Sequence, residues 1–254
     1  MLEVKNLTKI YEGKVSHRAL DNISFEVKDG EFVSIMGPSG SGKTTLLNLI
    51  STIDRPTAGE IFINGTNPHH MKQNNLAKFR RRELGFVFQD FNLLDTLTVE
   101  ENIVLPLTLD GYSVKEMEKR VGEVTQTLGI DDLRKKRTYE ISGGQAQRTA
   151  IARAIIHSPT LLLADEPTGN LDSKASRDVM ETLENLNQNY GTTMMMVTHD
   201  PEAASYATRV IFIKDGELYN EIVRGDNQRT YYQRIIDVLS LLGGTRHDLS
   251  PLRD

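Results

Sequence analysis

Apolar and polar positions alternate at two-residue spacing near the start of the chain, which is the pattern of half-buried β-strands. Residues 2–4 and 23–27 show this alternation, and a Lys28-Asp29-Gly30 turn leads into a third strand at residues 31–36. Short apolar runs predict further strands. They lie at residues 60–63, 85–88, 161–164, 193–197 and 209–213, the last followed by a Lys214-Asp215-Gly216 hairpin turn.

The stretches between the later strands read as helices. Residues 91–157 are predicted to be mostly helical up to the break at Pro159, and residues 173–189 form another predicted helix. Strands that alternate with helices in this way indicate an α/β fold with a parallel sheet. The methionines at 194–196 lie in a predicted buried strand, so we expect them in the core and not at a metal site.

Composition excludes several classes of protein. The 254 residues carry a net charge of −5 and a pI near 5.7, so no basic field indicates nucleic-acid binding. The basic run at 78–82 is interpreted as a solvated helix face. Cysteine is absent, which excludes disulfides and thiolate metal sites. No apolar run approaches the ~20 residues that span a bilayer, so we expect a soluble chain that meets a membrane only through a partner.

A glycine-rich loop follows the third strand and precedes a helical pattern, and it matches the phosphate-binding pattern G-x-x-x-x-G-K-[ST]. Its glycines let backbone N–H groups converge on phosphate oxygens at a helix N-terminus. Lys43 is expected to reach the β- and γ-phosphates, and the Thr44 hydroxyl to bind Mg²⁺. The predicted nucleotide-binding residues are Gly37, Pro38, Ser39, Gly40, Ser41, Gly42, Lys43, Thr44 and Thr45.

Two adjacent carboxylates end the apolar strand at 161–164. Asp165 is the candidate Mg²⁺ ligand, and Glu166 is the candidate general base that orients or deprotonates the attacking water. Adjacent acids after a strand also occur in plain solvated loops, and the phosphate-binding loop upstream favours the catalytic interpretation.

Three more side chains are candidates by position. His199 follows the strand at 193–197, whose carboxyl end is where a γ-phosphate would lie. Gln89 ends the strand at 85–88 and could coordinate Mg²⁺ or hydrogen-bond the lytic water. Tyr11 could stack on adenine, and the alternative is a tyrosine packed for structural reasons alone. The other histidines have no such context: His17, His69, His70, His157 and His247.

These motifs, in this order, resemble the ATP-binding subunits of ABC transporters over residues 2–224. The resemblance implies a RecA-like P-loop NTPase core with an antiparallel β subdomain and an inserted α-helical subdomain at about 90–160. It implies an ATPase with ATP and Mg²⁺ as cofactors, an ATP-binding domain at 1–224 and a helical extension at 225–254. In that family Gln89 would be the lid-loop glutamine, Asp172 the aspartate that bridges two subunits, and His199 the switch histidine.

The stretch Ile141-Ser142-Gly143-Gly144-Gln145 precedes a helical run and resembles a second phosphate-binding turn. Ser142 could instead merely cap that helix. In the family this signature binds the nucleotide held by the other subunit, and the chain has one copy of each motif. The resemblance therefore implies a head-to-tail homodimer. Two departures, Ile141 for the usual leucine and Ala146 for a longer polar residue, touch no expected phosphate ligand.

The resemblance extends to the branch that serves permeases with large extracytoplasmic domains. The tail 229–244, with Tyr232, Ile235, Ile236, Leu239 and Leu242 on one predicted helical face before a Gly243-Gly244 stop, is similar to that of BceA-like subunits of bacitracin-type peptide-resistance exporters. Taken alone, the tail is better explained as a helix packed on its own subunit, so the peptide-resistance interpretation rests on the overall likeness to the family.

The branch implies an integral-membrane permease as partner, at the cytoplasmic face of the membrane. Two alternatives stay open. One is a lipoprotein-release or cell-division ATPase, which drives a permease without moving a peptide. The other is a soluble non-transport ABC ATPase, although such proteins typically carry two cassettes or a coiled-coil insertion.

Overall fold

Nine strands and eight α-helices alternate along residues 1–243, the part of the chain that the computed structural model describes. In chain order they are β1 (Leu2–Tyr11), β2 (His17–Val27), β3 (Phe32–Met36), α1 (Lys43–Ile50), β4 (Ala58–Ile63), α2 (Gln73–Glu83), β5 (Leu84–Val87), α3 (Val99–Leu109), α4 (Val114–Thr127), α5 (Gly143–Ile155), β6 (Leu161–Asp165), α6 (Ser173–Tyr190), β7 (Met194–Val197), α7 (Pro201–Ala204), β8 (Arg209–Lys214), β9 (Glu217–Val223) and α8 (Gln228–Leu241).

The chain divides into two compact units. The first unit contains Met1–Val27, Phe32–Asn67 and the described residues from Val197 on. The second unit contains Lys28–Glu31 and Pro68–Met196, and so holds most of the helices. The predicted boundaries of the ATP-binding domain and its helical subdomain stay predictions, and residues 244–254 lie outside the described part.

An antiparallel sheet in the order β2-β1-β4 forms one layer of the first unit. Val4 of β1 pairs with Phe25 of β2 and with Ile61 of β4. At the start of β1, every second residue is buried. Strands β1 and β2 run longer than the sequence pattern predicts, and their pairing continues to Tyr11 and His17 across three register shifts.

The remaining strands of this unit carry the phosphate-binding loop. Strand β8 pairs in parallel with β3, bringing Met36 opposite Phe212, and pairs antiparallel with β9. Asp215 and Gly216 form the predicted two-residue hairpin turn, and both have the positive φ (50° and 82°) that such a turn requires.

Helix α8 packs on the first unit with a face that overlaps the predicted one, since Ile235 and Leu242 are buried as predicted. Tyr231, Ile235, Val238 and Leu242 are buried in a cluster that includes Met36. Their spacing of four, three and four residues makes one continuous helical stripe. The predicted members Tyr232, Ile236 and Leu239 flank the stripe and are only half-buried. Gly244, the second residue of the predicted stop, lies outside the described residues.

In the second unit the strands follow the order β5-β6-β7, with β5 parallel to β6. Helix α2 carries the basic run at 78–82 and buries none of its residues, as predicted for a solvated helix. The prediction of helix from residue 91 was wrong for the first turns. Asn102 holds this stretch as a loop, since its side chain accepts from Leu94 N (2.8 Å) and donates to Leu94 O (3.1 Å). Helix α3 starts only at a capping box of Thr98 and Glu101.

Candidate nucleotide site

The glycine-rich loop joins β3 to α1 in the first unit, and two of its glycines are required by close contacts. A Cβ on Gly37 would lie 2.1 Å from Ile213 O of the neighbouring strand. A Cβ on Gly42 would lie 2.5 Å from Ala19 O, and Gly42 has a φ of 103°. The loop therefore follows a tight path against β8 and β2 that only glycine permits at these positions.

Lys43 is folded back into this loop. Its Nζ donates to Gly37 O (2.8 Å) and to Pro38 O (3.0 Å), and the residue is only 8% exposed. The nearby Ser41 Oγ is buried without a hydrogen-bond partner among the described residues. A buried ammonium and an unsatisfied hydroxyl inside a ring of backbone groups fit the triphosphate of a nucleotide. Thr44, in the first turn of α1, is exposed.

Tyr11 stands beside the loop with its hydroxyl anchored and its ring partly open. The hydroxyl donates to Asp54 Oδ2 (2.9 Å), and Lys9 Nζ lies 4.7 Å from the ring centroid. Burial and the Asp54 carboxylate raise the pKa of Tyr11, partly opposed by a hydrogen bond with Thr45. With 40% of the residue exposed, the anchored ring offers a rigid surface on which a base can stack.

His199 lies at the same edge of the first unit. Thr198 N donates to Ile35 O (3.2 Å), and Thr198 Oγ1 accepts from Asp200 N (3.0 Å). These bonds tie the segment to β3 near the end from which the glycine-rich loop departs, and they leave His199 exposed. The first unit thus brings Tyr11, the glycine-rich loop and His199 to the loop end of β3.

The second unit brings Gln89, Asp165 and Glu166 together. Val87 of β5 is in register with Ala164 of β6, so both strands deliver their following residues to one edge of the sheet. Asp165 ends β6 half-buried, and Glu166 adopts a left-handed conformation with a φ of 45°. Gly169 N donates to Glu166 O (3.0 Å) and closes a tight turn behind the carboxylate. A strained non-glycine residue at such a position is a common feature of functional sites.

Gln89 contacts the far side of that turn. Its Nε2 donates to Asn170 Oδ1 (3.3 Å), and Asn170 Nδ2 donates to Asp90 Oδ1 (2.6 Å). A Cβ on Gly169 would lie 2.8 Å from Gln89 Nε2, so the glycine makes room for the amide. The predicted lid glutamine and the predicted bridging loop are therefore locked to each other.

The signature turn caps helix α5. Ser142 Oγ accepts from Gln145 N (3.3 Å), and Gln145 Oε1 accepts from Ser142 N (2.9 Å), which makes a complete capping box. Ser142 and Gly143 are exposed. Gly144 is buried, and a Cβ added to it would lie in tight contact, 3.1 Å from Ala175 Cβ. Ser142 therefore does cap helix α5, and one face of the turn is still exposed.

Asp172 and Ala146 also acquire structural explanations. Asp172 Oδ1 accepts from Ala175 N (2.9 Å), so the predicted bridging aspartate is also the N-cap of α6. Ala146 faces the interior and is 7% exposed, a setting in which a small apolar residue packs without strain.

Two residues with no predicted role shape this site. Gln147 is fully buried on α5, and Arg153 follows it almost two turns later. Gln147 donates hydrogen bonds to the loops that carry Gln89 and Glu166, and Arg153 donates to the loop that carries Gln89. A signal was present, since Gln147 shares a helical face with Ala150, Ile151 and Ala154, and a polar side chain on an apolar face requires a hydrogen-bond partner.

The predicted metal ligands are oxygen donors of three kinds. Thr44 offers a hydroxyl in the first unit, and Gln89 and Asp165 offer an amide and a carboxylate in the second unit. Mg²⁺ prefers oxygen ligands and is usually held by one or two carboxylates together with phosphate oxygens and water. The donor chemistry therefore fits Mg²⁺ and does not suit a metal that prefers nitrogen or sulfur.

Comparison with known proteins decides the family. Residues 20–169 match the protein-family description "ABC transporter". The chain belongs to the ABC transporter family of ATP-binding proteins. It is 63% identical over 253 residues to the ABC transporter ATP-binding protein YxdL of Bacillus subtilis, covering 100% of this chain and 98% of YxdL. It is 48% identical over 250 residues to the bacitracin export ATP-binding protein BceA of Halalkalibacterium halodurans, covering 98% and 99% of the two chains.

A solved structure supports the fold and the activity of this ABC protein. The dimeric, post-hydrolysis form of the ATP-binding cassette MJ0796 with ADP and Pi is 43% identical, with a TM-score of 0.80 over 89% of this chain and 100% of that one. The predicted ABC ATPase fold is confirmed, and the protein is an ATP-binding, ATP-hydrolysing subunit of the kind that dimerises and pairs with a membrane permease. No helix among residues 1–243 is both long and apolar enough to cross a bilayer.

Proposed function

We propose that this protein is the ATPase subunit of an exporter that protects the cell against bacitracin-like peptide antibiotics. The observation that carries the proposal is the 48% identity to a bacitracin export subunit over 98% of this chain, a span that includes helix α8. The MJ0796 cassette matches only 89% of the chain. The full-length match therefore favours the BceA-like branch.

The proposal assigns the site residues to two copies of the chain. Tyr11 stacks on adenine and Gly37–Thr45 hold the phosphates of one ATP, while Ser142–Gln145 and Asp172 of the second copy cover that ATP from the other side. The exposed face of the signature turn supports this arrangement, because its N–H groups and the dipole of α5 remain available to an anion. ATP then bridges two subunits, and its hydrolysis releases them.

Within one site Glu166 is the general base for the attacking water, and Gln89 and His199 hydrogen-bond the water or the γ-phosphate. Thr44, Gln89 and Asp165 would hold Mg²⁺, which supplies charge neutralisation for the phosphates when it is bound. The turn closed by Gly169 N on Glu166 O holds the Glu166 backbone in its left-handed conformation. That geometry pre-orients the carboxylate before the nucleotide arrives.

A groove in the second unit is the proposed seat of the permease at the cytoplasmic face of the membrane. Its wall is mostly apolar, with arginines at the rim, and it runs between helices α2, α3 and α5. It is lined by Ala77, Arg80, Arg81, Leu84, Phe86, Phe88, Asn92, Leu105, Pro106, Leu109, Arg153, Ala154 and His157. An amphipathic helix of a partner fits such a groove.

Substitution of Glu166 by Gln tests the ATPase assignments. The variant should bind ATP, lose turnover by on the order of 10²-fold or more, and accumulate as a dimer in ATP that reverts to monomer in ADP. Glu181→Gln, an exposed change on α6, is the matched control and should behave as wild type. A Glu166→Gln protein that hydrolyses ATP at the wild-type rate as a monomer would overturn both the base and the dimer.

Drug susceptibility tests the export proposal. A strain that lacks the gene should become more sensitive to bacitracin, and the wild-type gene but not the Glu166→Gln variant should restore resistance. Unchanged susceptibility to a panel of peptide antibiotics, with an intact ATPase, would favour the lipoprotein-release or cell-division alternative.

A further inference from the structure

The helix that begins at the signature turn also holds both loops that carry the proposed catalytic side chains. Helix α5 starts at Gly143 and ends at Ile155 within the second unit. Two of its side chains, Gln147 and Arg153, donate hydrogen bonds to main-chain carbonyls on either side of Gln89 and just after Glu166. Such contacts join three sequence motifs through one rigid element.

Gln147 connects the two loops directly. Its Nε2 donates to Pro167 O (2.5 Å), one residue after Glu166, and to Phe88 O (3.3 Å), one residue before Gln89. The side chain is fully buried, and its Oε1 has no hydrogen-bond partner among the described residues. Among the described residues, the only hydrogen bonds of this buried amide are therefore the two that its NH₂ group donates. Holding those two carbonyls explains why a polar side chain is buried at this position.

Arg153 holds the loop on the far side of Gln89. Its Nη2 donates to Phe91 O (2.8 Å) and its Nη1 donates to Asn92 O (2.6 Å). Phe91 and Asn92 have φ values of 60° and 49°, so two successive residues lie in the left-handed region, which non-glycine residues rarely adopt. A planar guanidinium that accommodates both carbonyls stabilises this backbone.

Gly143 of the signature turn lies close to the same loops. A Cβ on Gly143 would lie 3.2 Å from Leu171 Cδ2 and 3.9 Å from Phe91 Cζ. The space between Gly143 and these two side chains is thus about one methyl group wide, so a movement of the turn toward them presses on the loop after Gln89 and the loop after Glu166.

We propose that Gln147 and Arg153 are positioning residues that set Gln89 and Glu166 according to the state of the signature turn. The inference rests on the proposed function, in which Gln89 and Glu166 act on the nucleotide. Engagement of the signature by the second subunit's ATP is thereby relayed along α5 to the lid glutamine of the same chain. ATP binding at one site of the dimer prepares the catalytic loops of the other.

A double-mutant cycle tests the relay. Gln147→Leu fills the buried position with an apolar side chain and removes both donated bonds. Thr149→Val is the matched control, since the buried Thr149 hydroxyl donates to Gln145 O of the same helix (2.9 Å). Gln147→Leu should lower kcat by roughly tenfold and leave the KM for ATP within about twofold. Thr149→Val should leave both parameters unchanged.

Double variants that combine Gln147→Leu or Arg153→Met with Gln89→Ala distinguish a positioning role from general damage to the protein. Arg153 bonds only to the loop that carries Gln89, so Arg153→Met should add less than about twofold to the loss already caused by Gln89→Ala. Gln147→Leu, which also affects the loop after Glu166, should add less than the tenfold loss that it causes alone. Losses that multiply in either double variant would overturn the relay. If Gln147→Leu does not fold, as judged by thermal unfolding, Arg153→Met replaces it, with the same expected single-variant loss and the limit given above for its double variant.

Wild-type and Glu166→Gln proteins are measured in parallel. If the wild-type protein hydrolyses ATP and the Glu166→Gln protein fails to do so, the proposed function stands. In that case an additive cycle contradicts the relay alone. A fully active Glu166→Gln protein contradicts the proposed function itself.

Discussion

Replacement of Gly42 by alanine should damage the glycine-rich loop far more than replacement of Gly40. Both glycines have positive φ, 103° and 79° respectively, so each alanine incurs a backbone cost of about 1–2 kcal/mol. Of the two glycines, Gly42 is the one at which the new Cβ collides with backbone, at 2.5 Å from Ala19 O, whereas no atom of residues 1–243 beyond the adjacent residues lies within 4 Å of a Cβ at Gly40. Because Ala19 O belongs to β2 and cannot rotate away, overpacking adds about 1–3 kcal/mol.

The expected loss of unfolding free energy is therefore about 2–5 kcal/mol for Gly42→Ala and about 1–2 kcal/mol for Gly40→Ala. Urea unfolding without nucleotide measures both, and titration with a fluorescent ATP analogue measures the consequence for binding. Gly42→Ala should also weaken binding more, since Lys43 is held by the carbonyls of the same loop. Losses equal within about 0.5 kcal/mol would refute the steric explanation.

Three further outcomes are expected. Ser142→Ala should cost about 1 kcal/mol in thermal unfolding through the lost cap and, in a Glu166→Gln background, should abolish the ATP-dependent dimer seen by size-exclusion chromatography. Burial lowers the pKa of His157 below its usual 6.5, so as pH falls the unfolded chain takes up a proton before the folded chain does. Stability in urea should therefore fall as pH drops below 6.5, and His157→Gln should flatten that dependence. The Tyr231 hydroxyl is buried without a partner among the described residues, so Tyr231→Phe should leave the urea midpoint unchanged or raise stability by up to about 1 kcal/mol, whereas Tyr231→Ala should cost about 3–5 kcal/mol.

The parts of the fold that local sequence determines were predictable. The hairpin at Asp215-Gly216 follows from the positive φ that its turn needs, and the loop at Gly37–Thr45 follows from glycine, lysine and threonine at fixed spacing between a strand and a helix. Both signals lie within about ten residues of chain. Local chemistry alone was enough to identify them.

The parts that depend on distant contacts were not predictable. Residues 91–98 carry apolar spacing that suits a helix, yet Asn102 and Arg153 hold the Phe91–Leu94 backbone in a loop through long-range or side-chain hydrogen bonds. Gln147 bonds to carbonyls 59 and 20 residues away, and nothing in the neighbouring sequence identifies those partners. Tertiary hydrogen bonding thus overrides the helical periodicity in the loop after Gln89.

The packing of the C-terminal helix α8 and the similarity of the chain to BceA are independent observations. Tyr231, Ile235 and Val238 bury themselves beside Met36, the residue immediately before the glycine-rich loop. The apolar character of this helix is therefore explained by the core of its own subunit, without reference to a peptide or a permease. Similarity to BceA across the whole chain is a separate observation, and the export proposal depends on that similarity. By packing beside Met36, the helix supports the strand that leads into the glycine-rich loop, whichever permease the subunit serves.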